Sequence, residues 1–147
     1  MRALLDINVI IALLDRGHVM HRAACLWMEQ ELQDGWATSP IIENGVVRIM
    51  SQPAYPNHHP APQVAARLTE ACNHPSHQFW PEEISLLQKG LIRWERLLAP
   101  RQITDCYLLA LAVTRGGRFV SFDKRISLEL VPSSGAANLA IIPPVAP

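Results

Sequence analysis

The feature that most constrains this chain is a pair of short apolar runs, each ending on a carboxylate. Ala3-Leu4-Leu5 leads straight into Asp6, and Phe119-Val120-Ser121-Phe122 leads into Asp123. Runs this short, bounded by polar residues, match buried strands better than helices. Between them the pattern turns repeatedly to helical spacing. Strands that alternate with helices pair in parallel, since each crossover needs a dozen or more residues. A carboxylate at the end of a buried run is costly unless it is paired or bound to a metal. The two acids therefore mark strand ends with a chemical purpose.

Five strands are predicted: Arg2–Asp6, Gly35–Thr38, His77–Trp80, Arg118–Phe122 and Leu139–Ile142. Asn8 is placed to cap a helix over Val9–Leu14. A second helix is predicted over His18–Gln33. Ser39-Pro40 opens a third, which runs to about Ser51, with Ser as cap and Pro as first helical residue. Four prolines in the ten residues from Pro53 to Pro62 make a surface loop. Helical pattern resumes over Val64–Cys72. Pro81 with Glu82-Glu83 reads as a helical turn, acid at its start as the macrodipole favours. Leu91–Leu98 reads as helical, and Thr104 as the cap of a helix over Asp105–Thr114 that stops at Gly116-Gly117. The expected fold is a three-layer α/β/α sandwich around a parallel sheet of four or five strands.

At 147 residues the whole chain, 1–147, is expected to be one domain with its own core. Three widely spaced cysteines, Cys25, Cys72 and Cys106, fit a reducing compartment and read as small buried hydrophobes. The apolar stretch 3–14 is interrupted by Asp6 and falls short of a membrane span. A cytoplasmic location is the expectation.

Four acids stand out by placement. Asp6 and Asp123 end strands, and in an open parallel sheet all strand carboxyl ends share the rim where ligands bind. Asp105 and Glu43 fall in the first turns of helices that follow loops on that rim. Asp105 precedes an apolar helix, and Glu43 shares a helical row with Val47 and Met50. Four clustered carboxylates would take up protons unless a cation compensated them. Mg²⁺ or Mn²⁺ is the simplest match for oxygen-only ligands. One or two such ions can activate a water against a phosphodiester.

At these residues the sequence resembles the PIN-domain family, and within it the VapC-type ribonuclease toxins of toxin–antitoxin pairs. The matching stretches are Leu4-Leu5-Asp6-Ile7-Asn8, Ser39-Pro40-Ile41-Ile42-Glu43-Asn44, Ile103-Thr104-Asp105 leading into Leu108–Ala112, and Phe122-Asp123. The resemblance implies a PIN-like sandwich and a Mg²⁺-dependent endoribonuclease, with Mn²⁺ able to substitute. It implies a small antitoxin as partner and a homodimer. Transfer RNA or a ribosomal RNA loop would be the substrate. By motif, Asp6 and Asp105 correspond to the principal metal ligands, with Glu43 and Asp123 as the remaining acids. Asn8, Thr104 and Ser121 are candidates for orienting them.

Zero formal net charge is unusual for a nucleic-acid binder. Setting the four acids aside leaves nine acids against thirteen bases, eleven of them Arg. Arg48, Lys124 and Arg125 lie near the motifs and are candidate phosphate contacts. The alternative reading is a catalytically silent module that holds RNA or an antitoxin. A phosphoacceptor switch fits poorly, because Asp6 stands alone and Lys124 directly follows Asp123. Spacing reveals no zinc ligand pattern: the pairs His18/His21 and His74/His77 lack a matching Cys or carboxylate, and Pro75 splits the second. His58-His59 belongs to the Pro-rich surface loop. The four tryptophans read mainly as core or interface.

Overall fold

The computed structural model describes residues 1–146. Five strands form one parallel sheet: β1 (Ala3–Leu5), β2 (Trp36–Thr38), β3 (His77–Phe79), β4 (Arg118–Ser121) and β5 (Leu139–Ile141), in the order β3-β2-β1-β4-β5. Five α-helices flank it: α1 (Ile7–Leu14), α2 (His21–Glu31), α3 (Pro40–Met50), α4 (Ala61–Cys72) and α5 (Gln102–Thr114). β1 lies in the middle. β2 and β3 build outward on one side of it, β4 and β5 on the other, so the order reverses between β1 and β4. Ligands bind at such a switch point, outside the strand carboxyl ends.

Both faces of the central strands are covered. Ala3, Leu4 and Leu5 point alternately to the two faces, and all three are fully buried. α1 packs against α2 and α3, and α3 against α4, while α5 packs on β1 and β4. In α5 every residue from Cys106 to Ala112 is buried. A helix apolar on all sides belongs inside. Each buried Leu, Ile or Val there contributes about 1.5–3 kcal/mol relative to exposure.

Several boundaries differ from the sequence expectation. α1 starts at Ile7 with Asp6 as its cap, not at Val9 with Asn8. α5 starts three residues earlier than expected, with Arg101 at the cap position and Thr104 inside the first turn. The stretch 81–93 contains no helix. Glu82 instead accepts from the backbone N–H of Ile41 and so caps α3 from a distance. Of Leu91–Leu98 only Trp94–Arg96 forms a short 3-10 turn. Leu91 and Ile92 are consecutive buried anchors, and the N–H of Arg93 donates to the carbonyl of Leu130 at 2.9 Å. That pinning competes with a helical ladder. Within this stretch Trp94 and Leu98 are exposed, whereas Val9–Ala12 of α1 lie in the core. Trp27, Trp36 and Trp80 are buried. Among the cysteines only Cys106 is buried, with Cys25 and Cys72 half-exposed.

The loop before α4 is organised by Asp15, the residue that ends α1. Asp15 is buried and accepts from Tyr55 Oη, from Asn57 Nδ2 at 3.0 Å and from the N–H of Gly17 at 2.9 Å. These donors hold its carboxyl below the usual range against the upward pull of burial. His58 is exposed and His59 half-buried.

Candidate functional site

Asp6 is seated by local geometry. Its N–H donates to the carbonyl of Val120 at 2.9 Å, which ties the end of β1 to β4. Its carbonyl accepts from the N–H groups of Val9 and Ile10, which begins α1. The N–H of Ile7 donates to Asp6 Oδ1 at 2.8 Å, and Ser121 Oγ donates to Oδ2 at 2.7 Å. Both oxygens are thus aimed before anything binds. Burial nevertheless pushes this carboxyl above its ordinary value, with Asp123 adding to the shift.

Ser121 joins two acids. Besides donating to Asp6, its Oγ accepts from the N–H of Asp123 at 3.1 Å. Asp123 lies two residues past β4 and carries a guanidinium fork: Arg125 Nε donates to Oδ1 at 2.9 Å and Nη2 to Oδ2 at 3.1 Å. That partner holds Asp123 below the usual carboxylate range.

Asp105 sits in the first turn of α5, where the buried stretch begins. Its carboxyl is pushed up to about 7, chiefly by burial and then by the charges of Asp6 and Asp123. Arg125 pairs with Asp123 and offsets this rise only in part through its charge. Asp105 and Asp123 line a cavity of about 20 Å³ with Arg101, Gln102, Arg125 and Ser127. That is room for one water-sized occupant. Arg101 also lowers Asp123 through its charge. Its signal in the sequence is its position one helical turn before Asp105.

Asp6, Asp105 and Asp123 lie close enough for their charges to act on one another, whereas Glu43 turns to Thr38. In α3 the row Pro40, Ile41, Asn44 and Arg48 faces an open cleft of about 400 Å³ beside the aspartates, shared with Ile7 and Thr104. Glu43 and Val47 lie on the next row and face α4, where they line a cleft with Leu68, Thr69, Cys72 and Asn73. There Thr38 Oγ1 donates to Glu43 Oε2 at 2.7 Å and lies 2.8 Å from His77 Nε2. Cys72 completes the group, and donor atoms of Glu43, Cys72 and His77 lie within 4.8 Å of one another. Burial holds His77 below the ordinary imidazole range, and burial with the Glu43 charge pushes the Cys72 thiol up.

The remaining candidates fall around the aspartates. Arg48 and Thr104 are exposed in the open cleft, and Lys124 is exposed beside Asp123. Asn8 is exposed, and its side chain makes no hydrogen bond among the described residues. Ser39 occupies the cap position of α3 without a capping bond, and its buried Oγ has no partner among the described residues.

Asp6, Asp105 and Asp123 thus stand at the switch point of a parallel α/β sheet, and comparison with known proteins gives the family. The sequence pattern of the PIN domain matches residues 3–128, and the chain belongs to the PIN-domain family. Among its relatives, Ribonuclease VapC44 of Mycobacterium tuberculosis is 45% identical over 142 residues, which covers 97% of this chain and 100% of the relative. Ribonuclease VapC39 of the same organism is 41% identical over 128 residues, 86% of this chain and 92% of the relative. Two solved structures share the fold. M. tuberculosis VapC20, a sarcin-ricin loop cleaving toxin, aligns with TM-score 0.58 at 12% identity over 79% of this chain and 85% of that one. VapBC2 from Rickettsia felis, bound to a DNA fragment from its promoter, aligns with TM-score 0.63 at 11% identity over 96% and 98%.

Proposed function

We propose that the chain is a metal-dependent endoribonuclease that hydrolyses RNA phosphodiester bonds, the toxin of a toxin–antitoxin pair acting in the cytoplasm. The observation that carries this is the convergence of Asp6, Asp105 and Asp123 on the switch point. Its relatives' names, ribonucleases of the VapC type, point the same way. The donor set is all oxygen and all acidic, which suits Mg²⁺ or Mn²⁺ and not a thiophilic ion. The fit is visible in Asp105, which burial and then the charges of Asp6 and Asp123 raise to about 7. Asp6, Asp105 and Asp123 would hold the ion. A bound divalent ion there supplies Lewis-acid polarisation of the phosphate and a more acidic water.

The chain's own groups prepare that chemistry. Ser121 and the N–H of Ile7 fix the two oxygens of Asp6. Asp105 must give up its proton to serve as a ligand. Asp123, held by the Arg125 fork, would be a further oxygen ligand, and Arg125 beside it is placed to meet a phosphate oxygen. Arg48 and Lys124 flank the entrance and receive the RNA backbone. An antitoxin with an apolar helix fits the groove of about 520 Å³ between α1, α2 and α4, lined by Leu13, Leu14, Met28 and Leu32. Pairing with a second copy is proposed from the family resemblance.

Incubating the purified chain with total RNA and with tRNA, in Mg²⁺ or Mn²⁺ against EDTA, tests the reading. Discrete products that require the metal are expected, and mapping their ends separates tRNA from a ribosomal RNA loop. Equal cleavage in EDTA, or no cleavage of any RNA, would contradict it.

A further inference from the structure

We propose that the open cleft beside the aspartates is a nucleobase subsite, in which Asn44 reads the edge of one unstacked base next to the bond being cut. This rests on the ribonuclease reading and adds where the sequence of a single-stranded RNA is sensed. The cleft, about 400 Å³, is lined by Ile7, Pro40, Ile41, Asn44, Arg48 and Thr104. It adjoins the aspartates through the chain itself. Ile7 follows Asp6 and donates its N–H to Asp6 Oδ1, and Thr104 precedes Asp105. A nucleotide whose phosphate meets the aspartates finds this cleft alongside it. The cavity that Asp105 itself lines, about 20 Å³, is too small for a base.

The lining suits a base at one end and a phosphate only at the other. Ile7, Pro40 and Ile41 supply apolar surface, and a base taken out of its stack is held against apolar or aromatic side chains. The start of α3 offers no anion site there. Glu82 already accepts the N–H of Ile41, and its carboxylate repels a phosphate. Asn44 is exposed, and its carboxamide makes no hydrogen bond among the described residues. It carries one acceptor and two donors, which match the donor and acceptor that lie side by side on a base edge. Arg48 is one turn further along α3, about 6 Å from Asn44 along the helix axis. It is exposed and forms no ion pair among the described residues, so it is placed for the next phosphate. The two residues divide the recognition: Arg48 positions the backbone and Asn44 specifies the base.

The test uses short single-stranded RNAs that span a mapped cleavage site. The nucleotide on each side of the scissile phosphate is replaced in turn by all four bases and by an abasic ribose. Single-turnover kcat/KM is measured in Mg²⁺ for wild type, Asn44→Ala, Asn44→Asp and Arg48→Ala, with circular dichroism to check each fold. At one of the two positions the abasic ribose should slow wild type by about 5- to 150-fold, the discrimination of one good pair of hydrogen bonds. Asn44→Ala should lose as much on the intact RNA and nothing more on the abasic one. Asn44→Asp keeps the shape but loses both donors, so it should change which base is preferred. Arg48→Ala should slow all substrates alike. An Asn44→Ala protein that keeps the wild-type base preference, or that loses equally on intact and abasic RNA, would overturn the proposal. If wild type cuts no RNA, the same RNAs are bound to it in EDTA and followed by fluorescence anisotropy. Base-dependent binding that disappears in Asn44→Ala would then uphold the subsite while the nuclease reading falls, and binding blind to the base would end both.

Discussion

Asp105 concentrates the electrostatics of the aspartate pocket into one measurable group. In the metal-free folded chain it keeps its proton up to about 7, whereas its ordinary value is 3.8. Between those values the folded state binds more protons than the unfolded one. Stability therefore falls as pH rises through that window and levels off above it. Asp105→Asn removes the titration. Urea denaturation in chelator should show the variant losing less stability than wild type between about pH 4 and pH 8. Parallel profiles would contradict the placement of Asp105. Ser121 acts through Asp6 and Asp123, so Ser121→Ala should lower cleavage by about 10- to 100-fold and raise the Mg²⁺ needed for half-maximal rate. A loss of rate with an unchanged Mg²⁺ requirement would speak against positioning.

Among the elements, α3 shows how far the sequence could be read. The Ser39-Pro40 start was legible, and so were α4, α5 and all five strands, because short runs between turn signals and helical apolar spacing carry their own signal. Asp6 and Asp123 were legible for the same reason: each ends a buried strand. The direction of Glu43 was not. Its row in α3 faces either the aspartates or α4 depending on how the helix is rolled, and tertiary packing sets the roll. Residues 81–98 misled because Glu82 and Ile92 serve distant elements and not their own segment. The roll of α3 rests on Gly45. A methyl there would meet Ile7 Cδ1 at 2.4 Å and Cγ1 at 2.9 Å. Gly45→Ala should therefore destabilise by about 1–3 kcal/mol despite the better helix propensity of Ala. Adding Ile7→Ala should recover part of that loss. A stabilised Gly45→Ala protein would show that α1 and α3 are not in such close contact.

At the scale of the whole molecule, a neutral chain must bind a polyanion through a small footprint. Arg48→Ala and Lys124→Ala should weaken RNA binding similarly for all sequences. Each should flatten the salt dependence by about 0.7 in log–log slope, one single-strand phosphate contact. Unchanged slopes would place the RNA elsewhere. If the aspartates of the β1–β4 switch point do the cutting, removing one carboxylate abolishes it. The most direct test is single-turnover RNA cleavage in Mg²⁺ by wild type, Asp6→Asn and Asp105→Asn, each verified as folded. Discrete products are expected from wild type and none from either variant. Cleavage at the wild-type rate by either folded variant would contradict it.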